Sequence, residues 1–335
     1  MIKKECFTAE WIEQVSSELH YNDKNLIEKV IRALSLLEML VKAGCPLVFK
    51  GGTALMLILG KSAHRLSIDI DLICPPGTNI EDYLKSFADF GFINLELVER
   101  KQRDDADIPK SHSKFFYQIA YRNDTDAQSY ILLDVLYEDI HYFRTQQIAI
   151  NCPFIRLEGK PLMVTVPSAE DILGDKLTAF APNTTGIPYY RNGRSCSMEI
   201  AKQLYDVGRL FENVSDLQIT KEAFRKIAVV ELSYRSFGTD IGQVFNDIRQ
   251  TALCISTRGK AGEGDFDLIQ DGIIRVKSFM YKQRYLIDHA IIDAARAAYL
   301  ATLIEKGINE IESYSNNPCR YKGYGHPTFA AQQTE

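Results

Sequence analysis

Residues 50–55 read Lys-Gly-Gly-Thr-Ala-Leu, and residues 65–72 read Arg-Leu-Ser-Ile-Asp-Ile-Asp-Leu. The apolar residues at 47–49 predict a short strand, the glycine pair a turn, and Thr53 the N-cap of a helix over residues 54–59. In the second segment, strict alternation predicts a strand over residues 67–73 with an apolar back and an acidic front. The two segments therefore predict strand, glycine turn and helix, followed closely by a strand with paired acids.

The paired acids suggest a metal site. Asp69 and Asp71 are two positions apart on one strand face, where like-charge repulsion is unfavourable unless the two carboxylates share a cation. Asp134 is an isolated acid in the apolar strand predicted over residues 130–137, where an unpaired buried carboxylate would be costly. Oxygen ligands without His or Cys suit Mg²⁺, which takes further ligands from water and substrate phosphates. We therefore expect Mg²⁺ at Asp69 and Asp71, with Asp134 as the third ligand.

The glycine turn complements such a site. Without a Cβ atom, a glycine lets backbone N–H groups approach a phosphate, and the start of a helix favours negative charge. We expect Gly51, Gly52 and Thr53 to hold the triphosphate of a nucleotide. A lone glycine pair is most often a plain turn, and a lone Asp-x-Asp a solvated strand face, so the interpretation depends on the order of these elements.

The rest of the chain divides into a mixed α/β front half and a helical back half. An apolar stripe predicts a helix over residues 25–41, and a further helix is expected over residues 81–90. Ser168 with Asp171 predicts the start of a helix that runs to about residue 180. Further strands are expected at 92–98, 116–121 and 130–137, and further helices at 198–211, 221–232, 241–255, 268–280 and 287–306. We expect domains at 1–165 and 166–312, with an irregular tail at 313–335.

Composition excludes several classes of protein. The 335 residues are 46% hydrophobic and 25% charged, which excludes a disordered, collagen-like or disulfide-stapled chain. With 39 Lys and Arg against 44 Asp and Glu, the net charge is −5, so any nucleic-acid contact must come from a local patch. Seven scattered cysteines indicate reduced thiols, and no window is apolar enough for a membrane span. These features favour a cytoplasmic protein without membrane contact.

The order Gly-Gly-Thr-Ala-Leu, then Arg-x-Ser-x-Asp-x-Asp-Leu, resembles the first motif of the minimal nucleotidyltransferases. Three later segments make the chain similar to the AbiEii/AbiGii toxin family, the toxin half of type IV toxin–antitoxin systems. These segments are Leu-Leu-Asp-Val at 132–135, Ile-Leu-Gly-Asp-Lys-Leu-Thr-Ala at 172–179 and Lys-Gln-Leu-Tyr-Asp-Val at 202–207. The resemblance implies a nucleotidyltransferase-like mixed sheet followed by a helical domain that completes the active-site cleft.

The resemblance also implies roles for single residues. Asp69 and Asp71 would bind Mg²⁺, with Asp134 as a further acid, and Lys176 would contact nucleotide phosphate. Asp206 would be a catalytic or orienting acid. Arg65 and Ser67 would face phosphate or orient other groups. Position 203 departs from the family pattern, because Gln203 replaces an acid.

The implied reaction transfers a nucleoside monophosphate from an NTP to an acceptor hydroxyl and releases pyrophosphate. The acceptor would be RNA, at the 3′ end of tRNA, and the toxin would inhibit growth or phage propagation in the bacterial cytoplasm until a separately encoded antitoxin counters it. One alternative is a nucleotidyltransferase that modifies a small molecule or a protein. Another is an inactive nucleotide-binding module, which Gln203 favours weakly.

Basic residues are candidates for RNA contact because Lys and Arg pair with phosphates. Arg191 and Arg194 come first, because their loop joins two motif-bearing helices, and Lys202 is a third candidate. Basic segments at 100–103, 275–284 and 320–326 are weaker candidates, since such faces are usually only solvated. By spacing alone, Lys176 would be a solvent-facing lysine and Asp206 a surface acid paired with Lys202. His64 and His112 are expected to be polar loop residues.

Overall fold

The computed structural model describes residues 1–98, 110–121, 127–214, 216–234 and 240–311. In these residues the front half forms a mixed sheet with helices and the back half is helical, which confirms the predicted fold class. The six cysteines in the described ranges are free thiols. None of the described helices combines the length and apolar composition that a membrane span needs.

The sheet places the acidic segment at its centre. Its strand order is β1-β2-β5-β4-β3, with β2 and β5 parallel and the other neighbours antiparallel. The strands are Val48–Lys50 (β1), Ile70–Cys74 (β2), Asn94–Val98 (β3), Lys110–Gln118 (β4) and Gln128–Tyr137 (β5). Since β2 and β5 are neighbours, the acid-bearing strands predicted separately lie side by side.

Helices cover one sheet face and build the back half. In chain order they are Ala9–Glu18 (α1), Lys24–Lys42 (α2), Gly51–Leu59 (α3), Ala169–Ala179 (α4), Ser197–Phe211 (α5), Leu217–Tyr234 (α6), Ile241–Ser256 (α7), Phe266–Val276 (α8) and Ile287–Lys306 (α9). Two small antiparallel pairs complete the strands, Thr145–Ala149 (β6) with Met163–Pro167 (β7) and Tyr190–Arg191 (β8) with Arg194–Ser195 (β9). Short 3₁₀ helices lie at Lys4–Phe7, Gly60–Ser62, Ile80–Tyr83, Phe87–Phe90 and Lys277–Phe279.

Two hydrophobic cores meet at α3. The first contains α2 and the inner face of the sheet, and the second contains α4 to α9. Within α3, Ala54, Met56 and Leu57 join the first core, whereas Leu55 joins the second. A helix that is apolar on all sides suits this position, because it is covered from both directions. The division of the chain near residue 165 remains our proposal, and the tail at 313–335 lies outside the described residues.

The single helix expected over residues 81–90 is wrong. The structure has two 3₁₀ turns there, at Ile80–Tyr83 and Phe87–Phe90, neither with a side-chain cap. Leu84 and Phe90 are buried and Phe87 is partly buried against the first core, and a spacing of three matches the three residues per turn of a 3₁₀ helix. The tighter 3₁₀ turns therefore keep these apolar side chains against the core.

The start of α4 matches its prediction. Ser168 is the N-cap and its hydroxyl accepts a hydrogen bond from the backbone N–H of Asp171. The buried Asp171 carboxylate accepts two more from the backbone N–H groups of Phe143 and Arg144, at 2.7 and 2.9 Å. These bonds fix α4 to the segment that follows the sheet.

We predict that Gly174→Ala destabilises the helical half. A Cβ atom at Gly174 in α4 would lie 2.7 Å from the backbone N of Phe224 and 2.9 Å from the backbone O of Thr220, both in α6. Because the clash is with backbone, the helices must separate, at a cost of roughly 1–3 kcal/mol in the free energy of unfolding. Urea denaturation followed by circular dichroism measures this loss. Gly242→Ala is the control, since its Cβ would meet only the Asp240 side chain, and equal effects of the two substitutions would contradict the close packing of α4 on α6.

Candidate active site

The glycine turn lies against side chains of the acidic segment. Gly51 has a φ of +78°, which favours glycine. A Cβ atom there would lie 2.1 Å from Oδ2 of Asp71, and one at Gly52 would lie 2.7 Å from Oγ of Ser67 and 2.9 Å from Nη2 of Arg65. On the sequence alone, the two glycines are explained by the access that they give a phosphate to the backbone. The structure shows that they make room for these three side chains.

The prediction that Thr53 is an N-cap is wrong. The helix α3 begins at Gly51, directly after Lys50, because the positive φ of Gly51 lets the chain turn without a capping residue. Thr53 is buried inside the helix, and its hydroxyl donates to the backbone O of Asp69 at 2.7 Å. Thr53 therefore fixes the backbone of a candidate metal ligand.

Four polar side chains form a row across four adjacent strands. The register pairs Lys50 in β1 with Asp71 in β2, Asp71 with Asp134 in β5, and Asp134 with His112 in β4. Neighbouring strands are about 4.8 Å apart, so paired residues lie side by side on one face. Asp69 is two positions before Asp71 and immediately precedes β2. We call Lys50, Asp71, Asp134 and His112 the cross-strand row.

The acids of the site repel one another. Burial raises the pKa of Asp71 to about 7, and the negative charges of Asp69 and Asp134 add to this effect, while Lys50 and Lys176 oppose it. Burial also raises the pKa of Asp69, with Lys202 opposing and Asp134 adding to the rise. A bound cation would relieve the cost of keeping these carboxylates ionised.

The residues fit an open divalent-metal site. No group of three or more His, Cys, Asp or Glu side chains in the described ranges forms a ready metal cage. Mg²⁺ rarely uses an all-protein cage, because it keeps waters and takes ligands from substrate phosphates. The mutual repulsion of Asp69, Asp71 and Asp134 and their oxygen-only chemistry match that mode of binding.

His112 is a residue that the sequence analysis assigned wrongly. It lies in β4, not in a loop, and its Nδ1 is 2.5 Å from Oδ1 of Asp134. The strand begins at Lys110, before the expected residue 116, because polar residues alternate with inward ones on an antiparallel strand that has one open face. The alternation in residues 110–118 was the available signal. His112 orients the Asp134 carboxylate.

A buried ionic cluster lies beside the row. Arg65 donates two hydrogen bonds to Oδ1 of Asp206, from Nε at 3.0 Å and Nη2 at 2.9 Å, and a third from Nη2 to Oδ2 at 2.8 Å. Lys176 contacts Oδ2 of the same carboxylate at 3.0 Å. All three residues are more than nine-tenths buried. The solvent-exposed alternatives for Lys176 and Asp206 are therefore wrong.

Gln203 belongs to this cluster. Its Oε1 accepts a hydrogen bond from Nζ of Lys176 at 2.9 Å. An amide at this position keeps the lysine in place without adding a second negative charge. In this geometry Asp206 is a positioning residue, because it holds Arg65 and Lys176.

Lys202 faces the acids rather than an outer surface. Its Nζ lies 3.8 Å from the centroid of the Phe279 ring. Burial and the neighbouring Arg65 lower its pKa to about 8, while Asp69 opposes the shift. Because its positive charge acts on Asp69, Lys202 is a candidate contact for a phosphate bound there.

The two candidate arginines lie on an exposed hairpin. β8 and β9 pair Arg191 with Arg194, and Asn192 and Gly193 both have positive φ, as a tight hairpin turn requires. Arg191 also lines the cavity described below, whereas Arg194 does not. The basic side chains at 275–284 are exposed, and His64 lies beside Tyr281. The segments at 100–103 and 320–326 lie outside the described residues.

A cavity of about 250 Å³ opens beside the cross-strand row. The row forms one wall, and side chains from α4 and α6 form the other. Within it, the Tyr142 hydroxyl donates to Asp175 at 3.0 Å. Sequence reasoning missed Lys50, Tyr142 and Asp175, although Lys50 directly precedes the glycine turn and Asp175 directly precedes Lys176.

Comparison with known proteins agrees with the motifs. A family model described as the nucleotidyl transferase AbiEii toxin of a type IV toxin–antitoxin system matches residues 34–301. Among solved structures, JHP933 from Helicobacter pylori is 15% identical, with a TM-score of 0.41 over 92% of this chain and 95% of that chain. MenT4, a nucleotidyltransferase toxin from Mycobacterium tuberculosis, is 13% identical, with a TM-score of 0.49 over 87% and 89%. No curated protein matches the sequence.

The family match runs from the second half of α2 into α9 and includes the glycine turn, the acids and both motif-bearing helices. The chain therefore belongs to the AbiEii family of nucleotidyltransferase toxins of type IV toxin–antitoxin systems.

Proposed function

We propose that this protein uses Mg²⁺ to transfer a nucleoside monophosphate from an NTP to the 3′ end of an RNA, with tRNA as the acceptor. The observation that carries the proposal is the cross-strand row, which places Asp71 and Asp134 side by side at the glycine turn and next to a cavity. The family to which the chain belongs supports nucleotide transfer. Because NTPs and tRNA are substrates, the toxin would act in the bacterial cytoplasm, where an antitoxin would counter it.

Asp69, Asp71 and Asp134 would hold the metal. When bound there, Mg²⁺ supplies positive charge that offsets the charge on the α-phosphate and on the leaving pyrophosphate. His112 keeps the Asp134 carboxylate in one orientation through their 2.5 Å contact. Thr53 does the same for the backbone of Asp69. The protein therefore holds the metal ligands in fixed orientations, so that they need not rearrange during the reaction.

The cations around the acids would bind the phosphates. Lys50 lies next to Asp71 in the sheet, and Lys202 lies near Asp69. The N–H groups at the start of α3 add a favourable dipole, together with Gly51 and Gly52. Lys176 is held by Asp206 and Gln203, and its positive charge opposes the rise in the pKa of Asp71. Arg191 at the cavity wall would contact a nucleotide or the RNA that follows it.

We predict that Asp71→Asn abolishes transfer without destabilising the fold. The substitution removes a metal ligand, so turnover should fall at least about 100-fold. It also removes a charge that neighbouring acids repel, so the melting temperature should stay equal or rise. The assay incubates protein with Mg²⁺, each labelled NTP and total RNA, and then asks whether label appears in RNA, in a protein band or in neither.

Asp139→Asn is the control for this experiment, because Asp139 is an exposed acid outside the site. It should leave both turnover and melting temperature unchanged. Retained transfer by Asp71→Asn would contradict the proposed role of the row. Label in a protein band would instead identify the alternative acceptor class.

We predict that Lys176→Ala abolishes growth inhibition when the toxin is expressed without an antitoxin. The substitution removes a cation near Asp71 and leaves the Arg65–Asp206 pair intact, at a stability cost of about 1–3 kcal/mol. Colony counts after induction measure the effect. Lys160→Ala, at an exposed position, should remain fully toxic. If Asp69→Ala and Lys176→Ala stay toxic, the protein is a binding module rather than an enzyme.

A further inference from the structure

The open face of the sheet continues beyond Asp134 to a pair of aromatic rings. Along β5, Tyr130 and Leu132 share the face of Asp134, because alternate residues of a strand point to the same side. Along β4, Lys114 pairs with Leu132 and Phe116 pairs with Tyr130. The intervening residues point to the core: Phe115, Ile131 and Leu133 are buried.

The rings are close together and partly open to solvent. The ring centroids of Phe116 and Tyr130 lie 5.7 Å apart, and Tyr130 is 40% exposed. Large exposed aromatic side chains next to a catalytic face have stacking surface available for a ligand. Their ordinary alternative is a cross-strand pair that only stabilises the sheet.

Two lysines flank these rings. The Nζ of Lys29 in α2 lies 5.6 Å from the Tyr130 ring centroid, and that of Lys114 lies 5.5 Å from it. Lys114 also contacts Glu96 at 3.5 Å. Lys29 has no carboxylate partner in the described ranges. We call Lys29, Lys114, Phe116 and Tyr130 the aromatic platform.

The spacing suits a nucleic-acid strand. Tyr130 and Asp134 are four positions apart along β5, which is about 13 Å at 3.3 Å per residue. A few nucleotides of single strand cover that distance. A strand whose terminal hydroxyl reaches Asp134 would therefore carry its preceding bases over the rings and its phosphates past the lysines.

We propose that the aromatic platform binds the unpaired 3′ end of the acceptor RNA. Unpaired bases stack on aromatic rings, and lysines pair with the backbone phosphates, which is how single strands are bound without sequence-specific contacts. A base-paired end would not expose its base faces to the rings. The inference rests on the proposed function, since it places the acceptor of the same site on the sheet face beside Asp134.

The test measures binding rather than catalysis. A fluorescently labelled unpaired 12-nucleotide RNA is titrated with the full-length protein, and its anisotropy is followed at several salt concentrations. Tyr130→Ala should raise Kd about 5- to 100-fold. Tyr130→Phe should keep the affinity of the unchanged protein, because the ring remains. Lys114→Gln should reduce the slope of log affinity against log salt by about 0.7.

Phe143→Ala is the matched control. Phe143 is an aromatic residue that is 47% exposed and has the Lys226 ammonium 5.5 Å from its ring, but it lies outside the platform. It should leave RNA binding unchanged. Unchanged binding by Tyr130→Ala, or equal weakening by Phe143→Ala, overturns the proposal, and so does a protein that does not bind the strand at all.

The outcome separates this inference from the proposed function. Calorimetry with Mg²⁺ and NTP tests nucleotide binding without RNA, and no Tyr130 variant should change it. If the protein binds RNA in a Tyr130-dependent way but does not bind the nucleotide, the proposed nucleotidyl transfer is wrong and the proposed role of the aromatic platform stands. Nucleotide binding without RNA binding would reject the platform and redirect the transfer to a small molecule or a protein.

Discussion

The buried carboxylate of Asp206 holds the sheet and the helical half in one arrangement. It lies in α5 and binds Arg65, which precedes β2, and Lys176, which lies in α4. A buried charge that loses its partner costs several kcal/mol, so only an arrangement that satisfies all three groups is stable. Nη2 of Arg65 also lies 2.9 Å from the position that a Cβ atom of Gly52 would take. The glycine turn is therefore coupled through Arg65 and Asp206 to the helices that form the far wall of the cleft.

The cross-strand row has the opposite electrostatic character. In the ionic cluster every charge has a close partner, whereas Asp69, Asp71 and Asp134 repel one another, and burial raises the pKa of Asp69 and of Asp71. A fold gains nothing in stability from such a group. A group of mutually repelling acids beside a glycine turn is expected where function, rather than stability, determines which residues are present.

The surroundings of the cross-strand row differ on the two sides of Asp134. On one side is the cavity, which is lined by Tyr142, Asp175 and Arg191. On the other is the open sheet with the aromatic platform. A transferase must bring a nucleotide and an acceptor to the same metal-binding acids from separate directions, and this asymmetry gives each substrate its own approach.

Local patterns in the sequence determined much of this protein: the amphipathic α2, the Ser168 cap of α4, the mixed fold class and the strand that carries Asp71. Each of these depends on residues within a few positions of one another, where periodicity and capping act. The tertiary structure alone decided that Asp71 lies beside Asp134 and Lys50, that His112 meets Asp134, and that Arg65 turns to Asp206, 141 positions away. These contacts follow from strand order, register and helix packing, and no local pattern encodes them because each partner comes from a different element of the fold.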